Sequence, residues 1–114
     1  MDGGSDRSIS ARDLRFLRNS SQCEEVLGMF SLFSNRFRFK ILCLLNEDDF
    51  CGTEIVQLIG GTASNISQQL KMLTLAGYLS KRREEKSIYY HLEDDRIKKL
   101  LSFLYGLYGK EEAP

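Results

Sequence analysis

Residues 62–79 read TASNISQQLKMLTLAGYL, and the meaning of this stretch decides the fold. Ile66, Leu70 and Leu73 recur at the spacing of one helix face. Opposite them stand Ser64, Asn65, Ser67, Gln68 and Lys71. A merely solvated face is usually dressed in Glu and Lys, which form helix better than Ser or Asn. Helix stability therefore does not account for the polar set. Thr62 is placed to cap the helix and Gly77 to end it. Just upstream, Thr53 can cap a short helix carrying Ile55, Leu58 and Ile59, closed by Gly60-Gly61. Two helices joined across a short glycine turn make a helix-turn-helix.

Downstream, Tyr78–Arg83 and Ser87–Leu92 flank a polar turn at Glu84-Glu85-Lys86. They read as a β-hairpin, although no Asn-Gly or Asp-Gly marks the turn. Asp94 can cap a last helix with Ile97, Leu100, Leu101, Leu104, Tyr105 and Tyr108 at helical spacing. Upstream, Ser21 and Glu24 fit a capping box. The helix that follows carries Val26, Leu27, Phe30 and Phe33. Asn35 can cap the next, with Phe37, Ile41, Leu44 and Leu45. A short leading helix is expected over Ser10–Asn19, with Leu14 and Leu17 on one side. The expected fold is mainly α with a β-hairpin wing: a winged helix-turn-helix in the order α-α-α-α-β-β-α, working as a dimer. Residues 1–8 and 110–114 are expected to be disordered, with one domain over 9–109.

The 114 residues, 42 % hydrophobic and 28 % charged, are those of one ordinary globular domain. No apolar run approaches the roughly 18 residues of a membrane span, and the polar start lacks a signal peptide's apolar stretch. A cytoplasmic protein with no membrane partner is expected. Three cysteines, Cys23, Cys43 and Cys51, with one histidine offer neither a disulfide framework nor a four-ligand zinc site. No metal site and no cofactor are expected. A single His91 without an acid–base or nucleophile constellation around it excludes most enzyme chemistry. Net charge is zero, yet Lys71, Lys81, Arg82, Arg83 and Lys86 cluster while acids gather in Glu47–Asp49 and Glu93–Asp95. A locally basic surface on a neutral protein follows.

In a helix-turn-helix the second helix turns its N-terminal residues toward base edges in the major groove. Gln can grip adenine, and Ser or Thr can serve several bases. Double-stranded DNA is then the expected partner, touched by Thr62, Ser64, Asn65, Ser67, Gln68, Gln69 and Lys71. In the wing, Lys81, Arg82, Arg83 and Lys86 would meet phosphates, giving affinity more than sequence information. The blander reading makes the first set a solvated helix start and the second a solvated hairpin edge.

Phe33–Leu42, FSNRFRFKIL, resembles the "LSDPTRLRIL" entry to the second helix in the ArsR/SmtB family of bacterial repressors. Cys51–Ile55 falls on that family's "CVCDL", Ser67–Leu73 is similar to its "SHHLKVL", and Lys81–Glu84 with Ile88–Tyr90 resembles its "RREG…YY" wing. The resemblance spans about Glu25 to Leu107. Three positions depart from it: the usual wing glycine is Glu85, the frequent second histidine is Gln69, and the common proline is Arg36. The resemblance implies a dimeric repressor on an inverted-repeat operator, released by a metal, a thiol-reactive agent or another small-molecule inducer. Independently of it, the last helix carries more apolar surface than one side of a small monomer needs and the helix after Ser21 adds Phe30, which suggests a two-fold interface at Phe30, Ile97, Leu101, Leu104, Tyr105 and Tyr108. The resemblance also implies a thiol sensor at Cys43, as in the branch that responds to sulfide, persulfide or oxidants. That branch's second cysteine aligns near Gly109, so Cys23 or Cys51 would have to replace it. Two alternatives stay open: a metal(loid)-responsive repressor using Cys51 and Cys23, and a winged helix that serves only protein–protein contact.

Overall fold

A computed structural model describes residues 8–109; of the disorder expected over 1–8 and 110–114, all but Ser8 lies outside the described residues. The chain divides into two compact units at Ser34 and Asn35.

The first unit holds two helices, α1 (Ala11–Asn19) and α2 (Ser21–Phe33). Ser10 caps α1 by accepting from the Asp13 N–H at 3.0 Å. Ser20, rather than Ser21, caps α2: its Oγ accepts from the Cys23 N–H at 2.8 Å and donates to the Phe16 carbonyl at 2.8 Å. Only Ser21 has Glu at the capping-box offset, whereas Ser20 has Cys23 there; Ser20 nonetheless caps α2 and at the same time ties down the end of α1. In α2, Leu32 is buried while Val26, Leu27 and Phe30 are exposed.

The second unit is the winged helix. It contains α3 (Arg36–Glu47), β1 (Phe50–Cys51), α4 (Gly52–Ile59), α5 (Ala63–Leu75), β2 (Leu79–Glu84), β3 (Ser87–Leu92) and α6 (Asp95–Tyr108). Asn35 Oδ1 accepts from the N–H groups of Phe37 and Arg38, so the expected cap is present. The cap of α4 is Cys51, whose N–H donates to Glu54 Oε1 at 2.9 Å, and not the expected Thr53. Between α4 and α5 the chain turns through Gly60 and Gly61 at φ 91° and 85°. A Cβ on Gly61 would lie 2.8 Å from the Phe37 ring, so the turn needs glycine for room as well as for φ. At the far end of α5, Gly77 sits at φ 90°. There the Tyr78 N–H donates to the Leu73 carbonyl and the Gly77 N–H to that of Thr74, a Schellman closure.

The three strands form one antiparallel sheet in the order β1-β3-β2. Strand β1 was not expected: two residues carry no periodicity, and Phe50 and Cys51 become a strand only by pairing with Tyr90 and Tyr89. The hairpin turns on Glu85 and Lys86, with Glu85 at φ 58° in the left-handed region. Ile41, Leu42, Ile55, Ile66, Leu73, Leu92 and Ile97 are almost wholly buried, so both helices of the helix-turn-helix and the base of the wing share one core.

Candidate nucleic-acid interface

Helix α5 is anchored by Ile66, Leu70 and Leu73, all buried. Because side chains project every 100° or so around a helix, burying these three turns Ser64, Ser67, Gln68 and Lys71 outward. All four are exposed, as is Thr62, whose Oγ1 accepts from the Asn65 N–H at 3.0 Å. Asn65 and Gln69, expected on the same surface, lie half-buried on its flank. Arg38 of α3 donates through Nη1 to Gln69 Oε1 at 3.2 Å, and Gln69 Nε2 donates to Asn65 Oδ1 at 3.3 Å. Gln69 therefore has an internal partner on each side.

The wing carries its charges on two faces. Lys81 pairs across the hairpin with Tyr90 and Arg83 with Ile88, whereas Arg82 pairs with Tyr89 on the opposite face. Lys81, Arg83 and Lys86 are exposed. Arg82 is held: Nη1 lies 2.6 Å from Asp49 Oδ2, Nε lies 2.8 Å from Glu84 Oε2, and the guanidinium stands 5.4 Å from the Tyr89 ring centre. Such a stacked, doubly paired guanidinium is less available to a phosphate than its neighbours. The other oxygen of Asp49 lies 2.7 Å from His91 Nδ1. These bonds, that of His91 foremost, hold the Asp49 carboxyl below the usual carboxylate range against the opposing cost of burial. Asp49 is the residue that sequence reasoning passed over. It looked like one member of an acidic run, and its partners lie far along the chain, so no local signal points to it.

The three cysteines are free thiols. Cys51 is buried at the junction of β1 and α4. Cys43, half-buried, lines a largely apolar cavity of about 470 Å³ with Phe39, Leu101, Leu104, Tyr105 and Tyr108. Burial, and secondarily the nearby Glu47 carboxylate, push its pKa up. Cys23 belongs to the first unit. Among the described residues no group of three or more His, Cys, Asp or Glu could hold a metal ion. None of the described helices is long and apolar enough to cross a membrane.

The interface residues expected on α6 separate into two sets. Ile97 and Leu101 are buried in the chain itself and cannot meet a partner. Leu104 is half-buried, and Tyr105 and Tyr108 are exposed. Phe103 and Leu107, which the sequence reading left out, are also exposed. Phe30, in the first unit, is exposed as expected.

A sequence profile described as bacterial regulatory protein, arsR family, matches residues 37–81. The chain is 31 % identical over 91 residues to a biofilm growth-associated repressor of Xylella fastidiosa, covering 80 % of each protein. It is 30 % identical over 89 residues to the cadmium resistance transcriptional regulatory protein CadC of Listeria innocua, covering 77 % of this chain and 73 % of that one. Its fold matches the crystal structure of the transcriptional repressor BigR from Xylella fastidiosa with a TM-score of 0.75 at 27 % identity, covering 90 % of this chain and all of that one.

Proposed function

The chain belongs to the arsR family of bacterial regulatory proteins, DNA-binding transcriptional regulators and not enzymes, and on that footing we propose that it acts as a homodimeric repressor. Two copies of α5 enter successive major grooves of an inverted-repeat operator. Ser64, Ser67, Gln68 and Lys71 face the bases, and Lys81, Arg83 and Lys86 meet phosphates. The observation that supports this most is the exposed polar face of α5, lying opposite Ile66, Leu70 and Leu73 in the second helix of the helix-turn-helix. Likeness to proteins named as repressors supports the direction of regulation.

Mutants read by fluorescence anisotropy on operator and on unrelated duplex test the division of labour. Gln68→Ala removes a base contact and should weaken operator binding by about 1–3 kcal/mol, with non-specific affinity nearly unchanged. Arg83→Ala should weaken both duplexes alike and flatten the salt slope by roughly one unit. Equal loss on both duplexes in both mutants would refute the assignment. A wild type that binds no duplex would instead favour the protein–protein reading.

For release, the resemblance points to Cys43, with Cys23 or Cys51 needed in place of the second cysteine that the branch carries near Gly109. The thiolate is the nucleophile, and the raised Cys43 pKa leaves little of it at neutral pH. If this thiol is the trigger, polysulfide should modify it about tenfold faster per pH unit above neutrality until the raised pKa is passed. Operator affinity should fall in step in wild type and stay constant in Cys43→Ser. A Cys43→Ser protein that responds like wild type removes the thiol from the mechanism.

A further inference from the structure

We propose that Arg38, which stands outside the exposed face of α5, is a positioning residue that fixes which bases Asn65 accepts. This rests on the reading that α5 enters the major groove. A guanidinium can only donate hydrogen bonds. Arg38 Nη1, 3.2 Å from Gln69, therefore compels that amide to present its oxygen to α3. Gln69 is then left with Nε2 toward Asn65, where it meets Oδ1 at 3.3 Å. The direction of the whole chain follows from its first member, so neither amide is free to flip.

The result is a polarised Asn65. Its oxygen is engaged inward, and its Nδ2, which has no hydrogen-bond partner among the described residues, is the group left for a ligand. An asparagine that grips adenine needs both ends, the oxygen for N6–H and the amide for N7. Here Gln69 already takes one lone pair of the oxygen and holds it inward, so Asn65 presents Nδ2, a donor, outward. In the major groove guanine O6 and thymine O4 are acceptors where adenine N6 and cytosine N4 are donors. The base favoured opposite Asn65 is therefore a keto base: guanine, which accepts at O6 and N7, or thymine, which accepts at O4; adenine keeps N7 but sets its N6–H against the amide hydrogens, and cytosine offers no acceptor.

Selection from a duplex library with a randomised centre, using the full chain, tests this directly. In wild type, one position of each half-site should carry guanine or thymine over adenine or cytosine by about fivefold, the worth of one net hydrogen bond. Asn65→Ala should erase that preference and leave the other positions alone. Gln69→Glu is the decisive variant. It still accepts from Arg38 but has no hydrogen for Asn65, whose Nδ2 then turns inward and whose Oδ1 turns out. The preference should invert toward adenine and cytosine at that one position. Arg38→Met should flatten it; thermal melts report whether each variant folds, and Gln69→Glu serves if Arg38→Met does not. A keto preference that persists in Gln69→Glu, or a wild-type preference for adenine or cytosine at the position that Asn65→Ala erases, overturns the proposal while α5 remains the reading helix. Selected sites unchanged by Asn65→Ala overturn it too. No enrichment of any sequence by wild type overturns the reading of α5 itself, and the proposal with it.

Discussion

Tyr105→Glu is expected to convert a dimer at micromolar concentration into a monomer while leaving the protomer folded. One face of α6 exposes Tyr105 and Tyr108, three residues apart, at 67 % and 83 % of their surface, next to half-buried Leu104. Contiguous apolar surface of this kind on a small soluble chain marks an interaction site. A two-fold axis would bring this face against its own copy, so one substitution introduces two carboxylates. Burying an unpaired charge costs several kcal/mol, and the dimer dissociation constant should rise by at least about a hundredfold. Operator affinity should fall with it, because a monomer reaches only one half-site. The substitution leaves Ile97 and Leu101 in place, so the monomer's thermal unfolding should change little. Light scattering and sedimentation decide the matter: a wild-type monomer, or a variant as dimeric as wild type, would sink the assignment.

Leu73→Ala should act on stability instead. Leu73 has no exposed surface and lies one turn before the Gly77 closure of α5. Truncating a fully buried leucine removes its transfer free energy and leaves a cavity, costing roughly 2–5 kcal/mol. Against a typical total of about 5–15 kcal/mol this is a large share. Ile66 and Leu70 still hold the helix, so the native state should survive with a lower urea midpoint and an unchanged slope. Leu75→Ala, at a position 79 % exposed two residues on, is the control and should stay within about 0.5 kcal/mol of wild type. A loss under about 1 kcal/mol for Leu73→Ala would mean that the core collapses around the gap more freely than its packing suggests.

What could be read in advance divides by the reach of the interactions. Asn35, Thr62 and Asp94 were identifiable as caps because each bonds an N–H two or three residues on. The Gly77 closure is equally local. Strand β1 was not legible, since its partner β3 lies some forty residues away and two residues set no pattern. Asp49 was hidden for the same reason: its bonds to Arg82 and His91 span 33 and 42 residues. Ile97 and Leu101 were assigned to a partner because they share one stripe of α6 with Leu104, Tyr105 and Tyr108, and the chain itself covers only the N-terminal part of that stripe. Periodicity reports the stripe but not where along it burial in the chain itself ends. For the DNA face, residue type and spacing located the surface. They could not separate Gln68, which is exposed, from Gln69, which Arg38 has already engaged.

The placement of β3 between β1 and β2 has a consequence for how length can vary in this chain. Only the turn at Glu85 and Lys86 lies outside both ladders, so residues added there lengthen the hairpin and leave every pairing below it intact. One residue added between Asp48 and Phe50 is another matter. Side chains alternate along a strand, so a slip of one position would exchange the faces of Phe50 and Cys51. It would also pull the Asp49 carboxylate away from Arg82 and His91 and move the Cys51 N–H that Glu54 uses to start α4. A graft, a tag or a reporter loop therefore belongs at the hairpin tip. The two-residue acidic link before β1, Asp48-Asp49, though it looks like a spacer, behaves as a ruler.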